Sequence, residues 1–551
     1  MKILFFYVLH TIMQASMRRG NKRFLNNLNN VEAVQKSILD STLSRVDSIQ
    51  KSDRTGGTLS WQEYRDQVNY TSYTDWQDLI KRQKQGKSKL INSPVMRYQP
   101  TSGSTSEVKT IPYTKLFLGE LDNAISPWLS SMYQKYPGIK NGVHYWSLSW
   151  VPESKREGKF DDVNDDTQLL SPAKRLIAHL SQPVPSSVTN AKTMQDSMFA
   201  TITFLAANCH LSMISVWSPT FALELLDQLS ESKEYIAQVL ETGQWTSPEQ
   251  KKSLQSIKAP KNKLSAALLR SWDGSQSSEF YQSLWPKLAL VSSWDTAMSE
   301  YWAQELCQRL SFADFEGKGL WATEGVVTIP FKNSHVLAYQ SHYYEFRDAG
   351  DNKIHTAWQL RKGQKVIPII SAGNGFLRYE MNDLLEVKSF TGSVPNLEFK
   401  GRISGVDMVG EKMSPEIAEK ILRKICSSKQ QLRPTTLLAY QGNQPRKPQY
   451  IALLEDSTIN EDCVDSRLSK QLDKELRQNF HYELACDLGQ LSHAICIRSR
   501  TAKKLYLSIC KERGMLEGDI KIEPLKHCLN SAALNAVLPG SPLPTDENKC
   551  A

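Results

Sequence analysis

The chain has 551 residues, 40% hydrophobic and 23% charged, with a formal net charge of +9. That length exceeds the roughly 250–300 residues one hydrophobic core serves, so at least two cores are expected, and the composition excludes collagenous or disordered chains. Basic clusters at Arg18–Arg23 and Lys81–Lys89 carry no interleaved aromatic residues and are balanced by acidic residues elsewhere, which argues against a nucleic-acid surface.

In chain order, the apolar run 2–9 follows a lysine but is broken by His10 and Thr11 and leads to Arg18-Arg19. It lacks a small-residue cleavage site and is too short to cross a bilayer, so a buried first helix is predicted. Helical patterns follow at 31–48 and 74–85. Thr101-Ser-Gly-Ser-Thr-Ser-Glu-Val-Lys109 then forms a hydroxyl- and glycine-rich loop closed by a lysine. Such a turn can aim successive N–H groups and hydroxyls at an anion, although it does not have the Walker spacing. Leu118, Leu121 and Ile125 mark a helix starting near Thr114. Strands are predicted at 143–150, 211–217 and 287–293, and helices at 194–208, 221–229, 233–240 and 295–310. From 319 to 402 strands dominate, punctuated by Gly350-Asp351, Lys362-Gly363 and Gly373-Asn374-Gly375. Ser414-Pro415 signals a helix start, opening a mixed tail to about residue 535, with a loose extension at 539–544.

Nine cysteines, an odd number without a Cys-x-x-Cys pair, support neither a disulfide framework nor a structural zinc site. Seven fall at or after Cys426, where buried reduced thiols are expected, as in a cytoplasmic protein.

Residues 101–109 resemble the phosphate loop of the adenylate-forming enzymes. Three further segments follow in that superfamily's order: Trp321-Ala-Thr-Glu324, Arg378-Tyr-Glu-Met-Asn-Asp383, and Phe399-Lys-Gly-Arg402 followed by Gly410-Glu-Lys412. Within it, Arg23-Phe24, Gln35, Ile111–Thr114, Ile214–Pro219, Leu284–Pro286 and Tyr343–Phe346 resemble the auxin-responsive acyl acid-amido synthetase family. The likeness runs from the first helix to the end and is weakest after Glu411.

The resemblance implies an α/β (α+β) fold. A large N-terminal adenylation domain (1–403), with mixed sheets and a β-rich subdomain, would precede a small mobile α+β domain (404–551), hinged near Ser404-Gly405. It also implies that a carboxylic acid attacks the α-phosphate of ATP and that the resulting acyl-adenylate is transferred to an amine, an amino acid being the expected acceptor. Ser102, Gly103, Ser104, Thr105, Ser106 and Lys109 would cradle phosphate, and Glu324 would hold Mg2+. Trp321 and Thr323 would face the adenine, Asp383 the ribose hydroxyls, and Arg402 would complete the nucleotide site. Tyr145, Trp146, Trp217 and Tyr344 would line the acyl pocket, suited to a planar aromatic or cyclic acid. Lys521, with Lys526 in reserve, would be the mobile catalytic lysine.

The sequence departs from the family pattern at Ser106, Val108, Asn382 and Leu525, and it lacks an aspartate near Ser404. Transfer to a thiol, or a non-catalytic binding relative, are the alternative readings. A cytoplasmic monomer with neither nucleic acid nor membrane as partner is expected.

Overall fold

The computed structural model describes residues 2–46, 61–100, 109–148, 150, 170–297, 299–403, 405–409, 411–427, 431–441, 447–487, 490–513, 515 and 520–538. The chain forms two compact units, Met1–Thr296 with Trp302–Lys400, and Gly401–Ala551 with Ala297–Tyr301.

The first unit opens with α1 (Lys2–Asn26), α2 (Val31–Leu43), α3 (Trp61–Gln67) and α4 (Tyr73–Lys84). Gln35 on α2 is fully buried. Its amide donates to the Tyr339 and His342 carbonyls at 2.7 and 2.8 Å, while its oxygen accepts from the Tyr344 N–H at 2.8 Å. Phe24 is tied in through its carbonyl, which accepts from the Tyr339 hydroxyl. The family-like residues of these first helices therefore act as stitches to the sheet behind them.

The hairpin of β1 (Val95–Pro100) and β2 (Thr110–Thr114) sets Pro100 opposite Thr110, so the loop between them leaves and returns at one point. Thr114 caps α5 (Lys115–Lys135), its hydroxyl accepting from the Phe117 N–H at 3.1 Å.

Strands β3 (Val143–Trp146), β4 (Leu211–Ser215), β5 (Leu290–Ser293) and β6 (Asp314–Gly317) make a parallel sheet in sequence order. The first three are buried at every residue, as a sheet covered on both faces requires. Helix α6 (Pro172–Ser181) falls between β3 and β4 in the chain.

A tight hairpin, β7 (Trp321–Ala322) and β8 (Gly325–Val326), follows. The next strands are β9 (Thr328–Phe331), β10 (Ser334–Leu337), β11 (Tyr343–Asp348), β12 (Ile354–Thr356), β13 (Lys365–Ser371), β14 (Tyr379–Glu380), β15 (Asp383–Thr391) and β16 (Val394–Arg402). They build an eight-stranded sheet in the order β12-β11-β13-β15-β16-β10-β9, with β14 on β13.

The second unit centres on β17 (Leu432–Gln441), β18 (Gln449–Asp456), β19 (Cys463–Val464), β20 (Ser492–Ser499) and β21 (Leu525–Leu529), ordered β19-β20-β18-β17-β21. The helix Pro415–Cys426 packs its buried Ala418, Ile421, Leu422 and Ile425 into this unit's core. It starts where the sequence signal predicts, with the Ser414 hydroxyl accepting from the Ile417 N–H at 3.3 Å.

Four expectations change. The apolar start of α1 is helical but not buried: Ile3, Leu4, Phe5, Tyr7 and Val8 are exposed, and burial begins at Leu9. The strand from Val143 ends at Trp146, and the helix predicted from 295 runs over Ser299–Arg309. Asp295 stays outside it, in contact with Gly317, where a Cβ would lie 1.9 Å from its Oδ2. Of the late cysteines, Cys426, Cys496, Cys510 and Cys528 are buried, but Cys463 is exposed. Ser404 lies outside the described residues. Gly405 serves close backbone packing, since a Cβ there would sit 2.6 Å from the Met413 carbonyl oxygen; the glycine with left-handed φ nearby is Gly401, at +138°.

Candidate active site

The four parallel strands end together. Past β3 comes Ser147, past β4 Trp217, past β5 Trp294 and Asp295, and past β6 Lys318. The carboxyl ends of parallel strands form the crevice where open α/β sheets bind ligands, because loops diverge there. Five tryptophans gather at this edge. Ring centroids lie 6.5 Å apart for Trp128 and Trp146, 5.6 Å for Trp128 and Trp321, 6.1 Å for Trp217 and Trp321, and 5.7 Å for Trp217 and Trp294. The Lys318 ammonium, itself buried, stands 4.0 Å from the Trp217 ring centroid and 5.9 Å from that of Trp128. At such distances the ring quadrupoles attract the cation. Among the described residues, the hydroxyls of Ser147, Ser215 and Ser292 and the Trp321 indole N–H are buried without a hydrogen-bond partner. Buried polar atoms in that state ask for water or a ligand.

Beside this cluster, the β7–β8 hairpin holds Thr323 and Glu324 at its tip, because Ala322 pairs with Gly325. Neighbouring segments position the tip: the Tyr113 hydroxyl donates to the Thr323 carbonyl at 3.1 Å, and the Asn374 amide to the Glu324 carbonyl at 3.0 Å. The Tyr379 hydroxyl lies 3.3 Å from Glu324 Oε1. Burial, then the neighbouring Glu324, raises Tyr379 well above the usual phenol range, with Asp383 adding a smaller push, so this phenol stays protonated and donates.

The turn at Gly373–Gly375 links the hairpin tip to the loop hairpin. Gly375 has φ +99°, which a side chain would resist. The Gly373 carbonyl accepts from the Thr114 hydroxyl at 2.5 Å, and its N–H donates to Glu120 at 2.8 Å. His342 Nε2 accepts from the Val326 N–H at 3.2 Å, so Nδ1 carries the proton it shares with Glu120 at 2.8 Å. Gly325 fits because a Cβ there would press on His342 and Ile370 at 2.8–3.0 Å. A single buried brace thus fixes the loop hairpin, the turn and the Glu324 tip in one frame.

Residues 101–108 lie outside the described residues, and with them Ser102, Gly103, Ser104, Thr105 and Ser106. Lys109 is described, its ammonium 5.4 Å from the Tyr73 ring centroid. Asp383 is buried at the start of β15, four residues after Tyr379. Trp321, Trp146 and Trp217 join the strand-end cluster. Tyr344 does not. It is fully buried, with its hydroxyl donating to the carbonyls of Val326 at 2.6 Å and Ala338 at 3.2 Å, so packing accounts for it. Tyr145, also fully buried within β3, belongs to the core as well. In exchange the structure supplies Trp128, Trp294 and Lys318. The last two directly follow the ends of β5 and β6, a position that flags them from sequence; Trp128, inside α5, carries no such signal.

In the second unit, Glu523 gathers three cations. Lys526 donates to it at 2.7 Å and Arg402 lies 3.2 Å away; burial pushes the Glu523 carboxyl up, but Lys526, Arg402 and Lys521 more than offset this and hold it low. Lys526 is buried in β21, whereas Lys521 is only half-buried.

The GH3 family N-terminal domain matches residues 20–311, and the GH3 family central domain matches residues 335–402. No curated protein matches the sequence. Among solved structures, a GH3.15 acyl acid amido synthetase superposes with a TM-score of 0.74 at 15% identity, covering 95% of this chain and 96% of that one. The AtGH3.15 acyl acid amido synthetase in complex with 2,4-DB superposes at 0.76 with 16% identity over the same shares. At such identity the likeness speaks for the fold, and the matched domains, together more than half of the chain, show its family. The chain belongs to the GH3 family.

Proposed function

We propose that the protein is an ATP-dependent acyl acid-amido synthetase, a ligase that forms a carbon–nitrogen bond through an acyl-adenylate, acting as a cytoplasmic monomer. The observation that carries this reading is the common frame of the Glu324 tip, the Gly373–Gly375 turn and the loop hairpin, set beside the strand-end tryptophans. Two reacting groups must be held together for acyl transfer, and a shared rigid frame does that without reorganisation during the reaction.

In this reading the acid lies against Trp217, Trp294 and Trp146, whose flat faces suit a planar or cyclic acid, with Lys318 near its carboxylate. Attack on the α-phosphate forms the anhydride and expels pyrophosphate. Lys109 and the loop that precedes it, with Ser102, Gly103, Ser104, Thr105 and Ser106, would meet the developing phosphate charge. Asp383 would accept the ribose hydroxyls, and Trp321 and Thr323 would border the adenine. Glu324 offers a carboxylate at a hairpin tip with a neutral phenol beside it, a donor set that fits a hard cation such as Mg2+. When bound, the cation would neutralise phosphate charge. Lys521, with Lys526 in reserve, would be the lysine acting in adenylation, and Arg402 would make a nucleotide contact. An amine, an amino acid in the first instance, then attacks the acyl carbon and AMP leaves.

The test is a screen of carboxylic acids for ATP-dependent pyrophosphate release, followed by mass spectrometry with amino acids in one series and thiols in another. An amide product supports the proposal. A thioester, or no pyrophosphate with any acid, refutes it.

A further inference from the structure

The outer face of α1 changes character along its length. Leu4, Val8 and Ile12, at four-residue spacing, are 67%, 49% and 54% exposed, and Ile3, Phe5 and Tyr7 are exposed beside them. Further along, Arg18, Arg19 and Lys22 are exposed. Lys22 follows Leu4 by 18 residues, about five turns at 3.6 residues each, so the two project from the same side about 27 Å apart. The helix carries Lys2, Arg18, Arg19, Lys22 and Arg23 and contains no aspartate or glutamate. Beside its cationic end runs a groove lined by Gln14, Arg18, Asn21, Lys22, Ser130 and Gln134, which offers two cations and several amide and hydroxyl donors. Helix α6, which packs against α1, exposes Leu176 and Leu180 and also lacks acidic residues; its Lys174 is already engaged by Asp122 at 2.7 Å. The apolar end of α1 precedes the matched family domain, which begins at residue 20.

We propose that this face of α1 docks the protein on an anionic lipid bilayer, with Leu4, Phe5, Val8 and Ile12 entering the acyl boundary and Arg18, Arg19 and Lys22 meeting headgroup phosphates. An apolar stripe continued by cations on one helix face, with no acid on the helix to repel the surface, combines apolar burial with attraction to anionic headgroups. A second copy of the chain fits less well. In a parallel pair cation would face cation, and in an antiparallel pair Arg18–Lys22 would cover the apolar end of the partner helix. The proposal is independent of the chemistry above, and it revises the sequence-based expectation that no membrane is a partner.

The test is flotation of the full chain with phosphatidylcholine vesicles, with and without phosphatidylglycerol. At least tenfold more protein should float with the anionic vesicles, and 0.5 M salt should reverse most of that gain by screening, on the order expected from a Debye length of roughly 3–10 Å. Leu4→Glu/Val8→Glu and Arg19→Glu/Lys22→Glu should each lower flotation at least tenfold while keeping the parent's melting temperature, since all four side chains are exposed. Equal flotation of parent and variants, equal binding to neutral vesicles, or no flotation overturns the proposal. So does a parent dimer in sedimentation velocity that Leu4→Glu/Val8→Glu dissociates, which would make the occupant a second copy.

Discussion

Two carboxylates of the first unit stand in opposite circumstances. Glu345, in β11, is fully buried and gripped by Arg378 through Nε at 2.8 Å and Nη2 at 3.2 Å, with Arg65 at 3.2 Å. Arg378 spends Nη1 on the carbonyls of Arg65, at 2.9 Å, and Val68. Glu324 sits at a hairpin tip, half-buried, beside a neutral phenol at 3.3 Å. The first arrangement is saturated and can hold a fold together; the second keeps a charge next to a crevice. Even the saturated node has no large net electrostatic gain: burial pushes the Glu345 carboxyl up, and Arg378 and Arg65 do not fully reverse it. Its value lies in what happens when one partner is removed.

Arg378→Ala should therefore have the largest effect on stability. It leaves Glu345 and two backbone carbonyls buried without their main donor, a loss of about 3–5 kcal/mol. Urea unfolding monitored by tryptophan fluorescence measures it; a loss under about 1 kcal/mol would mean that Arg65 alone suffices.

A buried polar node without a formal charge sharpens the contrast. His10 and His144 stack at 3.9 Å; His10 Nε2 donates to the Gly142 carbonyl at 2.8 Å and His144 Nε2 to that of Ile139 at 2.8 Å. Burial lowers His10 from 6.5 to about 4, with Lys140 adding to the shift and the bond to Gly142 opposing it; His144 is lowered by burial and then by His10. Both folded values lie below the unfolded one, so the unfolded chain binds more protons between them. The contribution is complete above pH 6.5 and is lost as the pH falls towards 4, by up to about 3 kcal/mol for His10. His10→Gln should flatten the melting temperature between pH 6.5 and 4 relative to the parent. Parallel profiles would remove His10 as the source.

Much of this architecture is legible in the sequence because it rests on local signals. The capped start at Ser414 and the strands that begin near Val143, Leu211 and Leu290 follow from short-range pattern, whereas Thr323 and Glu324 stand out only through the family resemblance. What is not legible depends on partners far along the chain. Tyr344 reads as a wall residue until Val326 and Ala338 take its hydroxyl, and Trp128, inside α5, gives no signal until Trp146 and Trp321 arrive from other strands. The start of α1 shows the converse: an apolar run predicts burial, but burial needs a second surface, and the body reaches α1 only from Leu9 onward.

A third carboxylate of the first unit bears on the nucleotide. Asp383 is buried at the start of β15, and its charge contributes to raising Tyr379. Asp383→Ala should weaken ATP binding, since each charge-assisted bond to a ribose hydroxyl contributes about 1.5–3 kcal/mol. Isothermal titration reads this directly, and unchanged affinity in a folded variant would take Asp383 out of the nucleotide site.

The smallest effect on stability and the clearest effect on chemistry should come from Glu324→Gln. The amide keeps the shape of the side chain and can still accept from Tyr379, and the hairpin tip is held through the backbone by Tyr113 and Asn374. Stability should therefore stay within about 0.5 kcal/mol of the parent, the range of substitutions that leave no buried group unpaired. Adenylation is different. The lost negative charge is what a hard cation needs, and a fixed charge aimed at a transition state is commonly worth about 10²–10³ in rate. Pyrophosphate release should fall by that order and need more magnesium for half-maximal rate. A variant that unfolds early would place Glu324 with Glu345, as a structural carboxylate. One that folds and keeps the parent's magnesium curve would place the cation elsewhere. Only a stable protein with a shifted magnesium requirement fits a tip whose charge faces the substrate.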